Sequence, residues 1–178
     1  MSGCALLAQL NRERQEVDPL TEIERLIAIE AIKALIARRA RALDTRDWDT
    51  YARCHAPSVV STSGLFDSNL SRDEMIRANQ DLVSNLETMI HCVHSPNITI
   101  LSAVEAKGHS FLENWDFWKQ DGEEHWYHGW GYYDETFGIH DGKWVFTARK
   151  LTWLRQEFSE GAAGPTVDGL RAMQATHT

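Results

Sequence analysis

The chain has 178 residues, of which 43% are apolar and 25% charged, and its formal net charge at pH 7 is −8. The composition is that of an ordinary globular protein, and the length fits one domain. An acidic chain with scattered basic residues excludes an electrostatic surface for nucleic acid, and no apolar run approaches the ~18 residues that a membrane-spanning helix needs.

Three residue types stand apart in the composition, with 7 Trp, 8 His and 3 Cys. Cys4, Cys54 and Cys92 are odd in number and widely spaced, which argues against a disulfide framework and a cysteine zinc site. The first residues lack the basic region of a signal peptide, so we expect a reduced, cytoplasmic compartment. The tryptophans predict a deep apolar core or pocket, and the histidines suggest proton chemistry.

The chain opens with a polar segment and a long helix. Residues 1–19 are predicted to form a flexible arm that ends at a Pro. Thr21 and Glu24 have the spacing of a capping box, in which each side chain hydrogen-bonds the other residue's backbone. Apolar residues then recur at helical spacing as far as about Leu43.

Two shorter helices and one strand are predicted next. A helix begins near Trp48 and stops before Pro57, because the residue before a proline is disfavoured in a helix. Residues 59–63 are rich in β-branched side chains and predict a short strand. A second capping box begins at Ser71, and it predicts a third helix that ends near Leu86.

The second half of the chain has the pattern of an antiparallel meander. Turns are predicted at Lys107-Gly108, Asp121-Gly122 and Asp141-Gly142, because glycine tolerates the positive φ of tight hairpins. The four predicted strands cover 98–104, 110–118, 126–137 and 143–154. Helices grouped ahead of strands predict an α+β domain over 20–158, in which the helices cover one face of a curved sheet, followed by a frayed tail over 159–178.

Asp44 ends the apolar stripe of the first helix. It either caps the following helix, which is a common role of aspartate, or acts as a general base at the mouth of a pocket between helices and sheet.

His91 and His94 interrupt an apolar segment that precedes Pro96. A regular strand directs side chains three apart to opposite faces, so only one of the two would point inward unless the strand bulges. Both also fit structural roles. Metal ligation is the weakest interpretation, because no third ligand lies nearby, and we expect no metal.

Aromatic residues crowd the predicted strands, and most should be core. The remainder, with Trp115 among the candidates, would line an apolar ligand cavity. His128 is followed by Gly129 and Gly131, and this spacing indicates a bend in the strand or the close approach of a ligand.

Four stretches resemble the SnoaL-like family of the NTF2-like superfamily: 42–48, 90–98, 128–137, and 141–144 with 151–155. The resemblance covers about residues 20–156. It implies a cone-shaped α+β barrel without a cofactor, in a group that includes scytalone dehydratase, bile acid 7α-dehydratase, dehydrochlorinases, ketosteroid isomerases and polyketide cyclases.

The resemblance also implies a site. In the eliminating members an Asp at the end of the first helix pairs with a His on the facing strand, and Asp44 and His91 match these positions, with His94 as the alternative base. His128, Trp130 or Tyr132 would then hold a substrate oxygen.

One position departs from the family. The Tyr that dehydratases often carry one turn before the Asp is absent, and Arg39 stands near that place. Either Tyr51 or a strand Tyr substitutes for the missing Tyr, or the chain is not a dehydratase. Arg39 itself either binds an acidic substrate group or is solvated.

The sequence therefore favours a cofactor-independent dehydratase-type lyase acting on a small apolar, polyketide-like or steroid-like substrate. Isomerase or cyclase chemistry with the same dyad, a non-catalytic binding or assembly module, and an oxygenase small subunit are the alternatives. The aromatic strands also predict a homodimer or a higher homo-oligomer, because an exposed aromatic sheet face needs cover.

Overall fold

A computed structural model describes residues 20–62, 68–163 and 167–168. The predicted arm over 1–19 lies outside these residues. The helices are α1 (Glu22–Asp44), α2 (Trp48–Arg53) and α3 (Arg72–Leu82). The strands are β1 (His55–Thr62), β2 (Ser68–Ser71), β3 (Thr88–Ser102), β4 (Glu105–Gln120), β5 (Glu123–His140) and β6 (Lys143–Phe158).

The six strands form one sheet in the order β2-β1-β6-β5-β4-β3. β1 and β6 run parallel, and every other neighbouring pair is antiparallel. The α+β class is confirmed, but the sheet is larger than the predicted meander because β1 and β2 extend it beyond β6. No helix in the described part of the chain is long and apolar enough to cross a membrane.

Local signals placed most element ends correctly. Both capping boxes are present, with the side chains of Thr21 and Ser71 accepting backbone hydrogen bonds at the start of α1 and α3. Asp121 and Asp141 adopt positive φ in the two predicted Asp-Gly turns.

The predicted turn at Lys107-Gly108 is wrong. Both residues lie within β4, and the chain reverses between Ser102 and Glu105. Gly108 serves packing instead, since a Cβ atom there would lie 2.8 Å from the Phe137 ring. β3 also begins earlier than predicted, at Thr88, so the histidine segment is a regular part of the sheet.

The sheet has two distinct faces. We call the face that packs against α1 the inner face; there Ala106, Phe137 and Phe146 contact Ile32 and Leu35 in the main core cluster. The opposite face is the outer face. Successive side chains along a strand alternate between the two, so the strand register assigns each residue of the meander to one of them.

The described part of the predicted frayed tail packs against the domain. Ala162 and Val167 are buried in an apolar cluster with Met89, Trp118 and Tyr127. The prediction of a frayed tail is therefore wrong for these two residues, whose burial extends the core beyond the end of β6.

Candidate functional site: an Asp-His pair between helix and sheet

Asp44 is the last residue of α1. It does not cap α2, because the side chain of Asp47 takes that role by accepting a hydrogen bond from the Thr50 amide at 3.0 Å. The apolar face of α1 packs on the sheet, and this packing brings the end of the helix against β3.

The carboxylate of Asp44 binds His91 at two points. The ring Nδ1 of His91 lies 2.6 Å from Asp44 Oδ1, and the His91 amide donates to Oδ2 at 3.0 Å. An ionised carboxylate only accepts hydrogen bonds, so the short contact assigns the ring proton to Nδ1. Nε2 is then the ring nitrogen that remains for exchanging a proton with a ligand.

Asp44 and His91 are partly shielded from solvent, but a ligand can reach them. The side chains of Asp44 and His91 are 21% and 12% exposed. A groove of about 560 Å³ between α1 and β3 reaches both of them, and apolar atoms of Ala40, Val93 and Pro96 form part of its wall.

His94 lies on the outer face, away from Asp44. Regular pairing runs from Thr88 to His94, so His91 and His94 point in opposite directions. The side chain of His94 is 55% exposed and its Nε2 lies 3.8 Å from Glu113. The structure thus brings His91, and not His94, to the aspartate.

Three predicted substrate-binding residues form a separate cluster on the outer face. The His128 ring lies between Trp115 and Trp130, with ring centroids at 3.5 and 3.6 Å, and its Nε2 lies 2.8 Å from Glu113. The hydrogen bond to His128 holds the pKa of the Glu113 carboxyl below its usual range. The two Trp rings explain why His128 is buried although it faces outward.

The expectation that these side chains share a cavity wall with Asp44 and His91 is therefore wrong. Tyr132 is also on the outer face, where its ring lies 5.2 Å from that of His109. Strand alternation is the physical reason, because Gly129 and Gly131 take the intervening inner positions of β5. The register of β5 against β6 shifts at Gly131, in keeping with the predicted bend.

Arg39 and Tyr51 meet on the helical side of the domain. Both are buried, and Arg39 Nη2 donates to the Tyr51 hydroxyl at 3.0 Å. Within the described residues, Nε and Nη1 of Arg39 have no hydrogen-bond partner. Burial excludes the alternative in which Arg39 is solvated.

The sequence reasoning missed a group of polar side chains on the inner face beside the pair. Asn114 stands opposite His91, and its Nδ2 donates to Asp116 Oδ2 at 3.2 Å. Gln156 donates from Nε2 to the hydroxyl of Tyr127 at 2.9 Å. All four residues are buried. The available signal was the pair of polar residues Asn114 and Asp116 at alternate positions of β4.

Burial raises the pKa of Asp116 to about 6. The charge of Asp44 adds to this rise, whereas His91 and the hydrogen bond from Asn114 oppose it. Because both members of the pair act on this carboxyl, Asp116 belongs to the same electrostatic site.

The described residues include no cluster of three or more His, Cys, Asp or Glu side chains suited to a metal ion. What the site offers is proton exchange at His91 and several buried hydrogen-bonding groups.

The chain matches the model of a known family. The model of the SnoaL-like domain matches residues 24–150, and the chain belongs to this family. No curated protein matches the chain.

Solved structures show the same NTF2-like fold at low sequence identity. A protein provisionally assigned as a scytalone dehydratase from Novosphingobium aromaticivorans DSM 12444 has a TM-score of 0.70 and 17% identity, covering 83% of this chain and 97% of its own. Hexachlorocyclohexane dehydrochlorinase LinA-type3 from Novosphingobium barchaimii LL02 has a TM-score of 0.68 and 15% identity, covering 82% and 100%. The Kfla4162 protein from Kribbella flavida has a TM-score of 0.69 and 18% identity, covering 75% and 95%.

Proposed function

We propose that this protein is a cofactor-independent lyase that uses His91 as its base and Asp44 as the partner of that base. The supporting observation is the contact of 2.6 Å between His91 Nδ1 and Asp44 Oδ1. This contact holds one ring nitrogen of His91 and leaves the other available, which is the arrangement that proton abstraction by an imidazole uses.

The chemistry follows from this orientation. Nε2 of His91 removes a proton from a carbon beside a carbonyl group, and the imidazolium that forms is stabilised by Asp44. The electron pair forms a carbon–carbon double bond, a hydroxide leaves from the neighbouring carbon, and the imidazolium returns the proton to it as water. Two of the similar structures carry names of eliminating enzymes, a dehydratase and a dehydrochlorinase, which supports elimination over other uses of the pair.

The test is an elimination assay with a panel of cyclic β-hydroxy ketones and their β-chloro counterparts, monitored by the absorbance of the conjugated product. We expect Asp44→Asn and His91→Gln to lower turnover by ~10²–10⁴-fold, the usual contribution of acid–base groups.

The chain supplies a matched control for this assay. His109 and Asp134 form a second contact of this type at 3.0 Å, but on the exposed outer face. His109→Gln and Asp134→Asn should keep wild-type turnover. Equal rates for wild type and both dyad variants would refute the role of the pair, and a double-bond shift without loss of water or chloride would identify an isomerase.

Self-association is the second part of this proposal. The outer face carries the ring of Phe111, which is 49% exposed, together with the Trp115, His128 and Trp130 cluster. Analytical ultracentrifugation should detect a dimer or higher oligomer, and Phe111→Lys should shift it toward monomer.

A further inference from the structure

The groove that reaches Asp44 and His91 also contains cationic side chains. Its lining includes Lys33 and Arg41 of α1. Positions 33, 37, 41 and 44 follow one another at intervals of three or four residues, so they lie on one face of the helix. The net charge of the chain is −8, and two cations in the groove of the pair are therefore a distinct local feature.

Arg41 differs from the other cationic residues of α1. Each of the other four has a partner within the described residues: Arg25 with the Ile100 carbonyl, Lys33 with Glu30, Arg38 with Cys54, and Arg39 with Tyr51. The contact of Arg41 beyond the helix ladder is through its backbone, because its carbonyl oxygen accepts a hydrogen bond from Thr45 Oγ1 at 2.8 Å. Its guanidinium forms neither an ion pair nor a hydrogen bond within the described part of the chain.

The aspartate beside Arg41 does not neutralise it. Arg41 precedes Asp44 by about one helical turn, a spacing at which opposite charges on a helix can pair. The Asp44 carboxylate instead binds His91 with both oxygens, through the ring and through the amide. The N–H donors of the Arg41 guanidinium are therefore available to a ligand in the groove.

Apolar atoms form much of the remaining wall. Ala37 and Ala40 line the helical side, and their short side chains leave room beside α1. Pro96 lines the sheet side, where a β-bulge interrupts the pairing of β3 with β4 between His94 and Asn97. The groove of about 560 Å³ thus offers an apolar surface next to one unpaired cation, and its volume suits a small ring compound.

We propose that Arg41 binds a carboxylate group of the substrate while His91 removes a proton from a carbon beside the carbonyl group. The inference rests on the proposed function and deepens it, because it assigns the substrate to small keto acids rather than neutral ketones or halogenated hydrocarbons. Arg39, for which the sequence suggests such a role, does not line the groove.

The geometry of the guanidinium fits this ligand. A planar guanidinium binds a carboxylate through two parallel hydrogen bonds, which the single ammonium of a lysine does not provide. Three residues of an α-helix rise by about 4.5 Å, so Arg41 lies close enough to Asp44 and His91 for one small molecule to reach all three. The carboxylate then fixes which carbon of the substrate faces Nε2 of His91.

Binding of ketones that cannot undergo elimination tests the inference without turnover. The probes are three cyclohexanones that carry a carboxylate at the third ring carbon, attached directly, through one methylene or through two, together with the methyl ester of each. Affinity is measured by ligand-observed NMR at neutral pH. We expect the wild type to bind at least one carboxylate about 10- to 100-fold more tightly than its ester, the usual effect of a hydrogen bond to a charged group.

Substitutions at Arg41 assign this preference. Arg41→Gln removes the charge and should bind acid and ester alike, with the ester affinity of the wild type, which also shows that the variant is folded. Arg41→Lys should retain part of the preference, because it keeps the charge and loses the planar pair of donors.

A matched control excludes a structural role in the helix. A cation in the last turn stabilises a helix through its dipole, and Arg41 and Arg53 occupy this position in α1 and α2. Arg53 is exposed and lies outside the groove. Arg53→Gln should therefore keep the full preference for the carboxylate.

Failure of this inference is distinguishable from failure of the dyad. The inference is overturned if no carboxylate binds the wild type more tightly than its ester, or if Arg41→Gln keeps the preference. The base is tested with the same probes in D₂O, where His91→Gln should stop deuterium exchange beside the carbonyl group and keep the preference. Exchange that persists in His91→Gln would refute the base and leave carboxylate binding at Arg41 intact.

Discussion

Replacement of Asp116 by Asn should change the pH dependence of stability in a direction set by burial. The pKa of Asp116 rises from 3.8 in the unfolded chain to about 6 in the folded protein. A group with a raised pKa contributes its stability fully below the unfolded value, and this contribution is lost as the pH rises through the folded value. The wild type therefore loses stability from Asp116 between about pH 4 and about pH 6.

The size of this loss follows from the same two values. One pKa unit corresponds to ~1.4 kcal/mol, so ionisation of the buried carboxyl costs about 3 kcal/mol in total, of which roughly 2–3 kcal/mol falls above pH 4. Asn does not ionise, so the free energy of unfolding of the variant should not fall for this reason as the pH rises.

Urea unfolding monitored by tryptophan fluorescence, at one fixed protein concentration, tests this difference in stability between Asp116→Asn and the wild type. The free energy of unfolding of Asp116→Asn minus that of the wild type should increase by roughly 2–3 kcal/mol from about pH 4 to about pH 8. His55, whose pKa burial lowers to about 3, also changes stability over this range, but it is present in both proteins and cancels. The exposed control Asp134→Asn should show a flat difference. A flat difference for Asp116→Asn as well would refute the assignment of a buried, uncompensated carboxyl.

Substitutions at three other positions test packing and local structure through urea unfolding. Gly129→Ala should cost about 1–3 kcal/mol, because its Cβ would lie 2.5 Å from the Tyr127 hydroxyl; an unchanged midpoint would mean that the inner face has room there. Glu135→Gln should cost about 3–5 kcal/mol by leaving Arg149 buried without its carboxylate, and a loss below about 1 kcal/mol would contradict this. Thr21→Ala should cost about 1 kcal/mol through loss of the α1 cap, whereas Thr21→Ser should cost nothing measurable.

The parts of the fold that the sequence predicted are those specified by local chemistry. A capping box needs only residues three apart, and an Asp-Gly turn needs only two neighbours, so the start of α1 and the β4–β5 and β5–β6 turns were found. Lys107-Gly108 resembles a turn dipeptide in sequence. Its glycine is needed for a different reason, because a Cβ atom there would lie too close to the Phe137 ring, which is distant in sequence. Pro57 did not exclude β1 either, because it lies where the pairing of β1 with β6 is irregular between His55 and Val60.

Part of the candidate site could be predicted from the sequence, and part could not. Asp44 and His91 were named from resemblance, and the structure places them in contact. The faces of β4 and β5 could not be assigned from sequence, since Trp115 on the outer face and Trp118 on the inner face are equally apolar. Without that assignment, the sequence does not distinguish the outward Trp130 from a substrate-binding residue, and it does not show that Asp116 points inward.

The position of β6 has a consequence for how the chain is synthesised. β6 joins the N-terminal strand β1 to the rest of the sheet, and Val60 pairs in parallel with Ala148, about half the chain away. When the ribosome synthesises β6, β1 has already left the ribosome. The edge of β1 that pairs with β6 is unpaired until then. Because a contact between segments so far apart closes slowly, β1 should join the sheet late in folding, and chaperone binding to the nascent chain should concentrate on β1.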